Sequence, residues 1–300
     1  MMNASAVCGR LLALSYEQAY AGTVHSVFDH AVNLEIAQRF GLIGLIAEEK
    51  TLTPYAVSVR TSVPFTEAGI RAGMAAFIRQ GHVTIPEAGI DLDLSVAYPV
   101  DLSVDSIESR CEEEAADQLM ERICAALQGA DGQSGLAPLV TGGENTYTRF
   151  LKPRLGALFS AVSMGNDVAA IQSASRIAGC GMGLTPSSDD LLSGYLLTLR
   201  LLFRWQGRVS AWDTIPRIAQ AAAKQTNRIS ATFLLHSGEG LANAAVYILL
   251  RAAGKPGETL TADRAIARIL EIGSTSGADM LTGIALALRQ HNGGTNSDQV

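Results

Sequence analysis

Alternation marks the first third of this chain. Ile90, Leu92, Leu94 and Val96 alternate with Asp91, Asp93, Ser95 and Ala97, the period-two pattern of a half-buried strand. Tyr55, Val57, Val59 and Thr61 alternate in the same way with Ala56, Ser58 and Arg60. Residues 23–28 and 32–36 are shorter strand candidates, and residues 67–80 read as a helix among them. After Asp105 the period changes. Ile107, Cys111, Ala115, Leu119, Ile123 and Leu127 recur every fourth residue with acids between them, which predicts an amphipathic helix. A glycine-rich loop follows, from Gly129 to Asn145. Helical patterning then dominates, over 149–163, 166–177, 187–205, 212–236, 238–252, 261–271 and 277–290. The expectation is an α+β protein: a β-rich N-terminal domain, barrel-like or a sandwich, over 1–104, and a larger helical domain over 105–300.

One segment interrupts this patterning with chemistry. Residues 181–190 read GMGLTPSSDD and run directly into the most apolar helix of the chain. Ser-x-x-Asp ahead of an apolar run resembles a capping box, with Pro186 suited to the first helical position and Thr185 as an alternative cap. Capping alone needs one hydroxyl and one acid. Gly179, Gly181 and Gly183, then Thr185, Ser187, Ser188, Asp189 and Asp190, exceed that need. Glycines ahead of a helix let bare N–H groups converge, and the helix dipole adds about half a positive charge, so such a place suits phosphate or carboxylate. Asp189 or Asp190 would then serve in acid–base work, orient a hydroxyl, or hold magnesium, the candidate cofactor.

The segment has an echo. Ser187 to Gly194 can be laid on Ser276 to Gly283, an offset of 89 residues that brings Ser onto Ser, Asp190 onto Asp279, Gly194 onto Gly283 and Arg200 onto Arg289. Duplication and convergence on one requirement explain this equally well. Glycine inside a helix costs ~1 kcal/mol relative to alanine, which suggests close approach of another element at Gly194 and Gly283.

Composition narrows the partners. The chain has 300 residues, 48% hydrophobic and 17% charged, with a net charge of −6. No run of Lys or Arg exists, which argues against nucleic acid and anionic membrane. The low charge and mean hydropathy of +0.19 hint at apolar surface buried against another chain. Cys8, Cys111, Cys124 and Cys180 show no CxxC spacing, so idle thiols in a reducing cytoplasm are expected. Ala19-Tyr20-Ala21 looks like a signal-peptidase site, but the apolar stretch before it, Leu11 to Leu14, is shorter than the ~7–15 residues a secretion signal needs. The longest apolar run, Leu191 to Phe203, falls short of the ~18 residues of a span and contains Arg200. A soluble cytoplasmic protein is expected. Walker, GxSxG and HExxH patterns are missing, and GCGMG is not the Rossmann GxGxxG.

GMGLTPSSDDLLSG resembles the GLTPSGDD signature of a bacterial family long known as a domain of unknown function. One branch of that family is the AllH subunit of oxamate carbamoyltransferase, in allantoin and purine nitrogen use. GSTSGADMLTG resembles its second motif, and Gly22 to Phe28 with Asn33 resembles its N-terminal signature. Ser188 stands where the family pattern has glycine, and Ala278 where it has a bulky aromatic.

The resemblance implies carbamoyl transfer between phosphate and oxamate by one subunit of a multi-protein enzyme. Phosphate, carbamoyl phosphate, oxamate and oxalurate are then the ligands. One anion falls to Gly181, Gly183, Thr185, Ser187, Ser188 and Asp189, the other to Ser274, Thr275, Ser276 and Gly277. Arg228, in the polar island Thr226 to Ser230, would reach an anion or pair with an acid. Asp190 and Asp279 are the proton-handling candidates. His25, in a strand-like segment, joins them as a catalytic candidate through the resemblance. Two rivals stand beside this reading: a binding or scaffold subunit whose chemistry lies in a partner chain, and a metal-assisted hydrolase using the Asp189–Asp190 pair.

Overall fold

The computed structural model describes residues 2–36, 41–48, 50–108, 113–132, 134–208, 213–253, 255 and 257–292. Cys111 and Trp212, which belong to two of the expected helices, lie outside them. The chain divides into two compact units, Met1–Leu102 and Ser103–Val300.

The first unit is a single curled sheet. Its strands are β1 (Asn3–Cys8), β2 (Tyr20–Val27), β3 (Ala31–Ile36), β4 (Leu42–Ala47), β5 (Ala56–Arg60), β6 (Ala75–Arg79), β7 (His82–Ile85), β8 (Ile90–Asp93) and β9 (Tyr98–Val100), with helix α1 (Gly9–Glu17) after β1. The order across the sheet is β8-β7-β6-β2-β3-β4-β5-β1-β9, and β8 curls back to contact β1. Neighbours are antiparallel except β4 with β5 and β1 with β9. Leu34, Ile36, Ile43, Leu45, Val57, Val59, Ile78, Val83 and Ile85 are fully buried in this unit.

The expected helix over 67–80 is absent. A short 3-10 turn, Phe65–Glu67, gives way to strand β6. Its apolar residues are spaced as in a helix, but Gly69 and Gly73 take φ of 78° and 88°, which no right-handed helix permits. The alternation at 90–97 also stops early: Ile90, Leu92 and Leu94 are buried, whereas Val96 is 71% exposed beyond the end of β8.

The second unit is helical: α2 (Glu113–Asp131), α3 (Pro138–Thr141), α4 (Thr146–Ser163), α5 (Asp167–Ile177), α6 (Ser187–Trp205), α7 (Thr214–Ala223), α8 (Arg228–Gly238), α9 (Ala244–Ala253), α10 (Thr259–Leu270) and α11 (Ser276–Asn292). The helix expected over 212–236 is two helices. Lys224 ends α7, and Asn227 starts α8 by accepting from the Ile229 and Ser230 amides. α6 is buried on every face from Ser187 to Leu199, so it is the central helix, as its all-round apolar pattern requires. α11 lies along it, and α2, α8 and α10 pack around the pair. Arg200 of α6 makes a two-pronged ion pair with Asp105, at 2.8 and 2.7 Å, which fixes the start of this unit to the central helix. Among the described residues no helix is long and apolar enough to cross a membrane, and the described cysteines, Cys8, Cys124 and Cys180, are free thiols.

Candidate functional site

The two motif helices meet at their starts. The Thr185 and Ser276 hydroxyls share a hydrogen bond of 2.9 Å. A Cβ at Gly194 would lie 2.1 Å from the Met280 carbonyl oxygen, and one at Gly283 would lie 2.0 Å from that of Leu191. The contacts are reciprocal: under the 89-residue offset Gly194 corresponds to Gly283 and Leu191 to Met280. The two helices therefore cross about a local pseudo-twofold axis, each glycine admitting the backbone of the other.

The same exchange governs the acids. Asp190 of α6 receives the hydroxyls of Ser276 and Thr185, and Asp279 of α11 receives those of Ser187 and Thr275. Each acid is thus held by a serine of the opposite helix start. The Leu136 amide also donates to Asp279 Oδ1 at 2.6 Å. That amide reaches the carboxyl because Gly135 sits at φ 52°, where a Cβ would meet Asp279 Oδ1 at 2.4 Å. Asp190 is 5% exposed and Asp279 not at all. On each, Oδ2 is buried without a hydrogen-bond partner. Burial pushes Asp190 from 3.8 up to about 8, against the Ser276 and Thr185 hydroxyls, and the charges of Asp279 and Asp189 push the same way. Burial likewise raises Asp279 to about 6, against donors from Leu136, Ser187 and Thr275.

Asp189 has a different task. Its Oδ1 accepts from the Gly179 amide at 2.7 Å and from Ser188 at 3.4 Å. Its Oδ2 accepts from Thr226 at 2.5 Å and Ser230 at 2.7 Å. A carboxylate offers about four lone-pair sites, and here all are used. Asp189 therefore ties the 179–180 turn and the head of α8 to α6, and the polar island at 226–230 exists largely to satisfy it. Ser188, fully buried, accepts from the Cys180 amide and returns its own amide to the Cys180 carbonyl.

The expected caps differ in detail. Pro186 is the N-cap residue, not the first helical one, and no side chain caps α6. Ser187 and Asp190 are engaged with α11 instead, which explains why two serines and two acids stand where a cap needs one of each.

From the surface inward the site has three levels. Gly183 and Ser274 are exposed; Gly181, Thr185, Thr275 and Ser276 are half-buried; Ser187, Gly277, Asp190 and Asp279 are buried. Met182 and Leu184 flank Gly183 and are 82% and 58% exposed. Asn227 holds the Leu184 carbonyl at 2.9 Å, and Arg228 beside it is exposed at the head of α8. Gly277 faces the Ile269 carbonyl of α10, where a Cβ would lie at 1.9 Å, so its smallness serves packing. Among the described residues no group of three or more His, Cys, Asp and Glu side chains converges as a metal site.

His25 belongs to the N-terminal unit. It lies at the irregularity of the β2–β3 pairing between Val24 and Ser26. Its Nδ1 is 3.1 Å from Ser26 Oγ, which also accepts from Asn33 Nδ2 at 2.9 Å. Sequence reasoning missed Gly135 and Leu136. The glycine-rich loop containing them was visible, but its approach to Asp279 spans 143 residues of chain.

Comparison with known proteins adds two matches. The model of oxamate carbamoyltransferase subunit AllH matches residues 177–288, which contain both helix starts. The model of the AllH family N-terminal domain matches residues 3–99, nearly the whole of the curled sheet. No curated protein and no solved structure matches the chain. With its sheet and its paired helix starts both accounted for in order, the chain belongs to the AllH family.

Proposed function

We propose that this chain is a subunit of a carbamoyltransferase that moves a carbamoyl group between phosphate and the amide nitrogen of oxamate, in purine-derived nitrogen catabolism in the cytoplasm. The observation that carries the reading is the meeting of the two motif helix starts, with Asp190 and Asp279 held by each other's serines. The family name supplies the reaction class and points to other subunits as partners.

Every small molecule in this reaction is anionic, while the chain carries a net charge of −6. Two helix N-termini at one place supply positive potential without basic side chains. The exposed backbone at Gly183 and Ser274 is offered to phosphate and carboxylate, and the half-buried hydroxyls of Thr185, Thr275 and Ser276, which here serve Asp190 and Asp279, turn to the anion in exchange. Arg228, near the Gly183 turn, adds a full positive charge for attracting them.

In the synthetic direction the C–O bond between carbamoyl carbon and phosphate breaks and a C–N bond to oxamate forms. The nitrogen gives up one proton, and phosphate leaves with the electron pair of the broken bond. Asp279, with the lower value, is the base for that proton. Asp190, raised by burial, holds a proton at neutral pH and donates to the amide carbonyl oxygen of oxamate, which gains negative charge as the nitrogen gives up its proton.

The test is carbamoyl transfer to oxamate, and the reverse phosphorolysis of oxalurate, by the chain co-expressed with its partner subunits. Asp279→Asn and Asp190→Asn should each lower turnover by about 100-fold or more, with folding and subunit assembly retained. Unchanged turnover in both variants overturns the reading.

A further inference from the structure

Two buried acceptor atoms without partners are unusual in a folded protein, and here both lie at one helix seam. Asp190 Oδ2 and Asp279 Oδ2 are each buried and unpaired. Their companion interactions fix how they face. Leu136 donates to Asp279 Oδ1, which leaves Oδ2 as the oxygen offered elsewhere. One hydroxyl on each acid comes from the opposite helix start, Ser276 on Asp190 and Ser187 on Asp279, so both carboxyls lie at the seam between α6 and α11. They lie at the positive ends of two helices, where a cation is disfavoured. A neutral group that can hydrogen-bond with both atoms is a better match.

We propose that the unpaired oxygens of Asp190 and Asp279 form a two-point recognition site for the O=C–N–H edge of a primary carboxamide. This rests on the carbamoyl-transfer reading and says which part of the acceptor these residues read. One edge of a carboxamide presents an acceptor beside a donor. A carboxyl pair carrying one proton presents the complement. Burial raises both acids, and the Leu136 amide steadies the carboxylate of Asp279 while no backbone amide does so for Asp190, so of the pair Asp190 is the one that keeps the proton. Asp190 then donates to the amide carbonyl and Asp279 accepts from the amide nitrogen. The Thr185–Ser276 hydroxyl bond spans the two helix starts outside the acids, and entry of the amide exchanges it for bonds to the ligand. The same arrangement leaves the amide N–H on the group that removes its proton during transfer.

Oxamate and pyruvate test this directly. They share charge, size and the α-keto carboxylate, and differ in NH2 against CH3. Binding to the full-length chain is measured by calorimetry at pH 7, with inorganic phosphate as a separate probe. Oxamate should bind about 10- to 100-fold more tightly than pyruvate, the range expected for losing one or two hydrogen bonds to buried charged groups. In Asp279→Asn the Leu136 amide holds the side-chain oxygen, so the new NH2 faces the ligand's NH2, and the preference should fall to about one. In Asp190→Asn the new NH2 replaces the lost O–H as donor, so the preference should survive within about threefold while turnover is lost. Phosphate binding should persist in both variants and reports folding.

If phosphate binds but oxamate shows no preference over pyruvate, or the preference is unchanged in Asp279→Asn, the amide site is wrong and the anion reading stands. If neither phosphate nor oxamate binds the unaltered chain, both fall.

Discussion

At the scale of single residues, three neighbouring acids do three different things, and the difference lies in who donates to them. Asp189 has every lone pair occupied and belongs to the framework. Asp190 and Asp279 each keep one oxygen buried and unused. Replacing Asp189 with alanine takes their acceptor from the buried Ser230 hydroxyl, the half-buried Thr226 hydroxyl and the Gly179 amide nearer the surface. Unsatisfied donors of that kind cost ~1–3 kcal/mol each, so Asp189→Ala should lose about 3 kcal/mol or more in urea denaturation. Asp190→Asn loses no such set of donors and should be far milder. If Asp189→Ala lost less than Asp190→Asn, the division of labour would be refuted.

At the scale of elements, the crossing of α6 and α11 sets the geometry of everything at their starts. Alanine at Gly194 or Gly283 would put a methyl group about 2 Å from a carbonyl oxygen of the other helix, and the helices must part to admit it. Overpacking costs ~1–3 kcal/mol, more than the ~1 kcal/mol that alanine gains over glycine in a helix. Gly156 of α4 is the control, because nothing lies within 4 Å of its Cβ position. Gly156→Ala should raise the melting temperature, while Gly194→Ala and Gly283→Ala should lower it and weaken phosphate binding together with it.

The helical unit was legible in the sequence because amphipathic spacing is local: 166–177, 187–205 and 261–271 emerge within a residue or two of α5, α6 and α10. The sheet was less so. β1 and β4 carry short apolar runs without clear alternation, since Leu42, Ile43, Gly44 and Leu45 are all buried on both faces. The region 67–80 misleads for the opposite reason, its apolar spacing being helical while its glycines turn the chain the other way.

At the scale of the whole molecule, the pairing of the two helix starts was legible through repetition and through the resemblance of both motifs to one family. The recurrence of Ser-x-x-Asp-x-x-x-Gly announced that two helix starts share a requirement. It could not announce that each serine serves the other's aspartate, because that depends on contacts between residues far apart in the chain, Ser276 with Asp190 and Ser187 with Asp279. Nor could it show how deeply the acids are buried, and that depth has a consequence for the stability of the protein. Both acids have folded-state values above their unfolded value of 3.8, Asp190 near 8 and Asp279 near 6. Between those limits the native protein keeps protons that the unfolded chain has released. The native state therefore binds more protons, and stability must fall as pH rises. Asp190 contributes a slope of up to ~1.4 kcal/mol per pH unit from about pH 4 to about pH 8. Asp279 adds its share only up to about pH 6. In Asp190→Asn the acid limb up to pH 6 should remain, and the decline from pH 6 to 8 should flatten. Denaturation midpoints of the unliganded chain at pH 5, 6, 7 and 8 measure this. A variant whose midpoints track the unaltered protein in parallel across pH 6 to 8 would show that Asp190 is already ionised in the native state. It would then have no proton to offer an amide carbonyl or a developing oxyanion.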